Sequence, residues 1–222
     1  MLWGQAVVAI WNGITPDGRA EFYAWHLQEH MPERAAIPGF RRGRRYIAAD
    51  AATHPEFFTL YEAATMAVLL GPDYAARLDA PTPWTRRATA AFRDTSRAMA
   101  GVRHSEGPGA GAAILTIRFE TAAGAGSGDA ALIALLHETL AAPRVTGAHL
   151  CAADLAASGE RTTETRGRAD IQAPPAWFLM VEATDPEALA PLLPETALRA
   201  AGAAGTLLRG RYRLEYTRTD AG

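Results

Sequence analysis

His26 and His30 stand four residues apart in the run Trp25-His26-Leu27-Gln28-Glu29-His30-Met31-Pro32-Glu33-Arg34. On a helix that spacing puts both imidazoles on the face that carries Phe22, beside a stripe of Tyr23, Leu27 and Met31. An imidazole has an ordinary pKa near 6.5, so at the edge of a core it can take a proton from, or give one to, an enolisable or phenolic substrate at neutral pH. His30 is accordingly the candidate catalytic residue, and the alternative is that it bonds a backbone group and fixes the helix end before Pro32. His26 and Trp25 are candidate substrate contacts on the same turn, with packing as their alternative role.

A second constellation lies on the segment that follows. Alternation along a strand puts Phe40, Arg42, Arg44 and Tyr46 on one face and Arg41, Gly43, Arg45 and Ile47 on the other. An inward Arg44 with Tyr46 can bind a carboxylate or phenolate through charge-assisted hydrogen bonds, unless the arginines pair with Glu33, Asp50 or Glu62. Trp3, Trp11, Trp25 and Trp84 all fall before residue 105, where they either wall an aromatic pocket, with Trp84 a substrate contact, or form core. Arg103, alternating along a later strand, is a further candidate pocket group.

His26 to His30 also spells H-x-x-E-H, in which two histidines grip zinc and a glutamate activates water. Pro32 follows at once and no third ligand is evident, so no metal is expected. A histidine can also serve as the axial ligand of a haem. That reading ranks below a cofactor-free one, and no cofactor is assigned.

Composition narrows the partners. The 222 residues are 49% hydrophobic and 21% charged, enough for one large domain or two small ones. The net charge of −2 leaves no electrostatic footprint for nucleic acid or anionic lipid. Cys151 is the single cysteine, so no internal disulfide forms and a reducing cytoplasm fits. The N-terminus lacks the pattern of a signal peptide, and no apolar run approaches the roughly 20 residues that span a bilayer. The expected partners are a small organic ligand and a second copy of the chain.

The elements that must hold these residues occur twice. Ala6 to Trp11 and Ala113 to Phe119 are apolar, β-branched openings. A turn and a helix follow each: about Arg19 to Glu33 in the first half, and, after the Gly124 to Gly128 loop, about Asp129 to Ala141 in the second, with Asp129 as cap. Second strands come next, then Phe57 to Glu62 and Trp177 to Glu182, apolar runs closing on glutamate, then Arg97 to His104 and Leu208 to Tyr216. The order is βαββαβ, twice, with a polar, Gly/Pro-rich linker at 105–111 between a first half (1–104) and a second (112–222). An open apolar sheet face costs about 25 cal/mol per Å² in water, so the two sheets are expected to cover each other. The fold class is α+β: tandem ferredoxin-like repeats forming an intrachain pseudo-dimeric α+β barrel.

The phrases Trp25 to Arg34, Ile37-Pro38-Gly39-Phe40, Arg44-Arg45-Tyr46 and Pro81-Thr82-Pro83-Trp84-Thr85 resemble the dimeric α+β-barrel superfamily, and within it the EthD-like and related uncharacterised proteins. The resemblance spans roughly residues 5 to 104. Matching the Pro-Gly-Phe turn to Thr146-Gly147-Ala148 sets Glu138 opposite His30, so the second half lacks the polar signature. The superfamily includes cofactor-free monooxygenases, polyketide cyclases, isomerases, haem enzymes and proteins without known activity, so the fold alone does not choose a function. The resemblance implies a small-molecule-binding barrel protein, a candidate cofactor-independent enzyme with a histidine acid or base acting on an aromatic or polyketide-like substrate. The competing reading is a non-catalytic module for ligand binding or self-association.

Overall fold

The computed structural model describes residues 1–121 and 129–219, so the Gly124 to Gly128 loop lies outside the described residues. Eight strands form where the apolar runs predict them: β1 (Ala6–Ile14), β2 (Phe40–Ala48), β3 (Phe57–Ala63), β4 (Phe92–Glu106), β5 (Ala113–Thr121), β6 (Val145–Ala153), β7 (Trp177–Ala183) and β8 (Ala203–Thr219). They close into one barrel in the order β1-β3-β2-β8-β5-β7-β6-β4, with every neighbouring pair antiparallel. Opened at its two seams, β2 with β8 and β4 with β6, the ring gives β4-β1-β3-β2 and β8-β5-β7-β6. That is one ferredoxin-like order written twice, and the chain is an intrachain pseudo-dimeric α+β barrel.

β4 and β8 run well beyond the segments that alternation marks. Each seam strand is hydrogen-bonded on both sides, β4 to β1 and β6, β8 to β2 and β5, so ladder pairing extends it past its apolar pattern. Closure also leaves no strand of the sheet with an unpaired edge.

The barrel interior is filled. Trp11, Phe58, Tyr46, Phe178, Met180 and Tyr212 form one buried cluster, and the Trp11 Nε1–H donates to Thr116 Oγ1 at 3.0 Å across the two halves. At one end lies a buried ionic network. Arg44, from β2, donates to both oxygens of Glu182, on β7, at 2.7 and 3.1 Å, while Arg42 donates to both oxygens of Glu62. Glu182 also accepts from the Gly111 N–H at 2.9 Å and from His149 Nε2 at 3.2 Å. His149 is buried and held below its ordinary pKa by desolvation, so it is a neutral donor to the carboxylate, and its Nδ1 then accepts from Ser105 Oγ at 2.9 Å.

The helices pack outside the sheet. The first half carries α1 (Arg19–Trp25), a widened π-helical turn (His26–His30), α2 (Met31–Ala35), α3 (Met66–Leu69), α4 (Pro72–Asp79) and α5 (Pro83–Thr89). The second carries α6 (Asp129–Thr139), α7 (Leu155–Gly159), α8 (Pro186–Leu189) and α9 (Glu195–Ala200). α2 approaches β2 closely because Gly43 has no side chain: a Cβ there would come within 2.7 Å of Met31 Cε and 2.9 Å of Tyr61 Cε1. Gly39, at φ +93°, makes the turn into β2 that a side chain would strain. No helix among the described residues is long and apolar enough to cross a membrane.

Candidate active site

Pro32 shapes the turn that carries both histidines. A proline cannot donate to the carbonyl four residues back and its ring crowds that carbonyl, so a regular helix is disfavoured just before it. Here the helix widens instead: the Met31 N–H reaches back five residues to the His26 carbonyl. The wider turn breaks the 3.6-residue register, which is why Leu27, expected in the apolar stripe, is 43% exposed while Phe22 and Met31 are buried.

The same turn stacks the rings. His26 lies on Phe22 with centroids 5.1 Å apart and on His30 at 5.5 Å, and Trp25 lies over His30 at 4.3 Å. Both imidazoles are buried. Desolvation, reinforced by the charges of Arg45 and Arg34, holds His26 well below its ordinary pKa; desolvation, with Arg34 and His26, does the same to His30. Both are therefore neutral at pH 7. His26 Nδ1 lies 3.4 Å from Arg45 Nη1, which can only donate, so that nitrogen is an acceptor and the proton sits on Nε2. Among the described residues, the buried His30 Nδ1 has no hydrogen-bond partner.

His26, His30 and Trp25 wall a cavity of about 260 Å³ on the outer face of the first half's sheet. Ile10, Asn12 and Thr59 contribute from β1 and β3, Phe92 and Arg97 from β4. The roof comes from the other half: residues 158–174, in the connection between β6 and β7, cross over and complete the lining. This strap is anchored by Arg34 to Glu164 at 2.7 Å, by the Gln172 N–H to the Thr95 carbonyl at 2.7 Å, and by Arg168 to Asp170, whose carboxylate also accepts from Thr95 Oγ1. Within the lining, Arg97 has, among the described residues, only the Tyr74 hydroxyl as a hydrogen-bond partner, at 3.2 Å.

The second half has filled the corresponding space. Leu132 and Leu136 of α6 pack on Leu115, Ile117, Leu150 and Leu179, and Glu138, aligned with His30, points to water.

The remaining candidates lie elsewhere. The cavity is outside the barrel, so the inward row of β2 misses it: Arg44 is bound by Glu62 and Glu182, and Tyr46 packs against Phe58. Arg103 is a surface residue paired with Asp129, the first residue of α6. Trp84 packs beside Phe22 and Trp25 without entering the lining, Trp11 is inside the barrel, and Trp3 is exposed beneath the Arg42 guanidinium. Asn12, Phe92, Arg97 and the strap were missed. Their one signal in sequence was the length of the 154–176 connection, since long connections are usually either functional or linker segments.

Glu29 of the H-x-x-E-H string turns away from the histidines and accepts from Thr82 Oγ1 at 2.6 Å and Thr85 Oγ1 at 3.1 Å. Among the described residues, no group of three or more His, Cys, Asp or Glu side chains is arranged to hold a metal ion.

No protein-family profile matches the chain, and no curated protein matches it in sequence. Solved structures do match in fold. An anthrone oxidase-like protein superposes with a TM-score of 0.63 at 14% identity, covering 98% of this chain and 93% of its own. A Lactobacillus acidophilus protein provisionally described as a monooxygenase gives 0.58 at 11% identity over 97% of both chains. One provisionally described as a chlorite dismutase gives 0.54 at 10% over 96% of both. With likeness along nearly the whole length of each and the doubled ferredoxin-like strand order, the chain shares their α+β-barrel fold, with both ferredoxin-like halves in one polypeptide.

Proposed function

We propose that the cavity under the strap binds a small, ring-bearing ketone or phenol and that His30 acts on it as a general base without a cofactor. The observation that carries this reading is a neutral, buried imidazole in the cavity wall whose Nδ1 has no partner among the described residues. Phe22, Trp25 and Phe92 offer faces for an aromatic ring, and Asn12 and Arg97 offer donors for its oxygens. At about 260 Å³ the space lies near the lower end of the roughly 300–1,000 Å³ of ligand pockets, which suits one or two rings.

The step asked of His30 balances within the substrate. The imidazole nitrogen takes a proton from carbon beside a carbonyl, the C–H electron pair moves toward the carbonyl, and its oxygen becomes an enolate held by the donors. Return of the proton at a different carbon or at oxygen completes a tautomerisation.

The test is hydrogen exchange at the acidic CH2 of 2-tetralone in D2O, followed by NMR. Wild-type protein is expected to accelerate exchange, and His30→Ala to lose about 10²- to 10⁴-fold of that acceleration while keeping the native circular dichroism. Anthrone, the compound in the name of one structural neighbour, extends the assay to three rings. Saturable binding of 2-tetralone with exchange no faster than in buffer would leave a binding module and remove the enzymatic reading.

A further inference from the structure

Five arginines are buried, and four of them have carboxylates: Arg34 with Glu164, Arg42 with Glu62, Arg44 with Glu182 and Arg45 with Glu215. The fifth, Arg118 on β5, is 8% exposed and, among the described residues, makes neither a hydrogen bond nor an ion pair. Its guanidinium lies 4.8 Å from the centre of the Trp11 ring, inside the barrel. The two acids that point inward, Glu62 and Glu182, cannot serve it. Arg118 is level with Phe178 on β7, and Glu182 is four residues further along, about 13 Å at the rise of a strand. Both acids are already held by Arg42, Arg44 and His149.

The guanidinium instead lines a second cavity, of about 300 Å³, at the mouth of the barrel. Ser96, Pro174, Pro175, Thr206 and Leu208 complete most of its wall. Ala173 and Pro174 belong to both linings, so the end of the strap stands between this space and the cavity of His30. Glu120, the one carboxylate in the lining, is exposed and makes no ion pair with Arg118. Desolvation lowers the pKa of Arg118, as it must for a buried cation without a partner. The guanidinium opens onto this cavity, where an anion arriving from solution can pair with it.

We propose that this mouth is a second ligand site, which binds a small organic carboxylate through Arg118. The planar guanidinium fork matches a carboxylate with two parallel hydrogen bonds, and one cation among prolines and leucine fits a singly charged anion with an apolar body. Phosphate, with more charge and more acceptors, would leave most of them unmet there.

The experiment is a titration of the full chain with sodium benzoate, acetate and inorganic phosphate, read by arginine side-chain ¹⁵N NMR and by calorimetry. Benzoate is expected to shift saturably one arginine Nε signal that is missing from Arg118→Met, and to bind that variant at least ten-fold more weakly. Should Arg118→Met fail to fold, Arg118→Lys assigns the same signal, and the wild-type titration still decides. Phosphate matching benzoate, equal binding to the variant, or no saturation by any of the three would overturn the proposal. A shift confined to Arg97 would put the ligand in the cavity of His30 and overturn it as well.

Discussion

Replacing Glu182 with Leu tests how the two halves are held together. The carboxylate takes two bonds from Arg44, one from the Gly111 N–H and one from His149, and leucine supplies none while nearly keeping the volume. Removing one partner of a buried pair costs about 3–5 kcal/mol, because the other charge stays buried without compensation. Arg44 keeps Glu62 at 3.1 Å, which draws this toward the lower value, and the stranded Gly111 N–H adds about 1–3 kcal/mol. The expected loss is about 4 kcal/mol, a large share of the roughly 5–15 kcal/mol of a typical domain. Urea unfolding followed by circular dichroism should show a lower midpoint at unchanged slope. The double variant Arg44→Met/Glu182→Leu should recover part of the loss, since apolar residues in place of both charges remove the uncompensated cation. There is also a pH signature. Burial disfavours the ionised Glu182, but the bonds from His149 and Arg44 outweigh it and hold the carboxyl far below its usual pKa. Its contribution is therefore complete above about pH 4.5 and is lost as pH falls below that, a slope the variant should lack. A loss under about 1 kcal/mol, or a double variant as unstable as the single, would refute the idea that this network staples the halves.

Two further outcomes follow from close packing and buried histidines. Gly43→Ala should cost about 1–3 kcal/mol, because its Cβ would meet Met31 and Tyr61 well inside van der Waals contact and push α2 off the sheet; an unchanged thermal midpoint would show that the contact yields freely. His26, His30 and His149 all have lowered pKa values, so the unfolded chain binds protons first: stability should be complete above about pH 6.5 and decline below it. Thermal midpoints between pH 7 and 5 check this, and a flat profile would contradict the buried neutral histidines.

The fold was legible because it is written in alternation and repeated. Ala6 to Trp11 and Ala113 to Phe119 each had to be a sheet strand, and the doubled element order left two half-open sheets to satisfy one another. The side on which the ligand space would fall was not legible. Arg44 and Tyr46 point inward, as alternation requires, but a barrel lined with Trp11, Phe58, Phe178 and Tyr212 has no room inside, so the cavity formed on the other face, under the helix. The histidine pair was visible as spacing on a helix, whereas its ring stacking depends on the π-helical turn that Pro32 forces. The strap was hidden because segment 158–174 has no periodicity, and its contacts to Thr95, Arg34 and Asp79 join residues far apart in sequence.

The strap also makes the two halves unequal. In a barrel assembled from two identical chains, every substitution appears on both sides, so a change that improves one pocket must be tolerated in its twin. Here the second half can lay Leu132 and Leu136 onto its sheet and lend residues 158–174 to its neighbour, because no symmetry obliges it to keep a pocket of its own. One half is free to specialise in packing and the other in recognition, and a mutation in either is felt once.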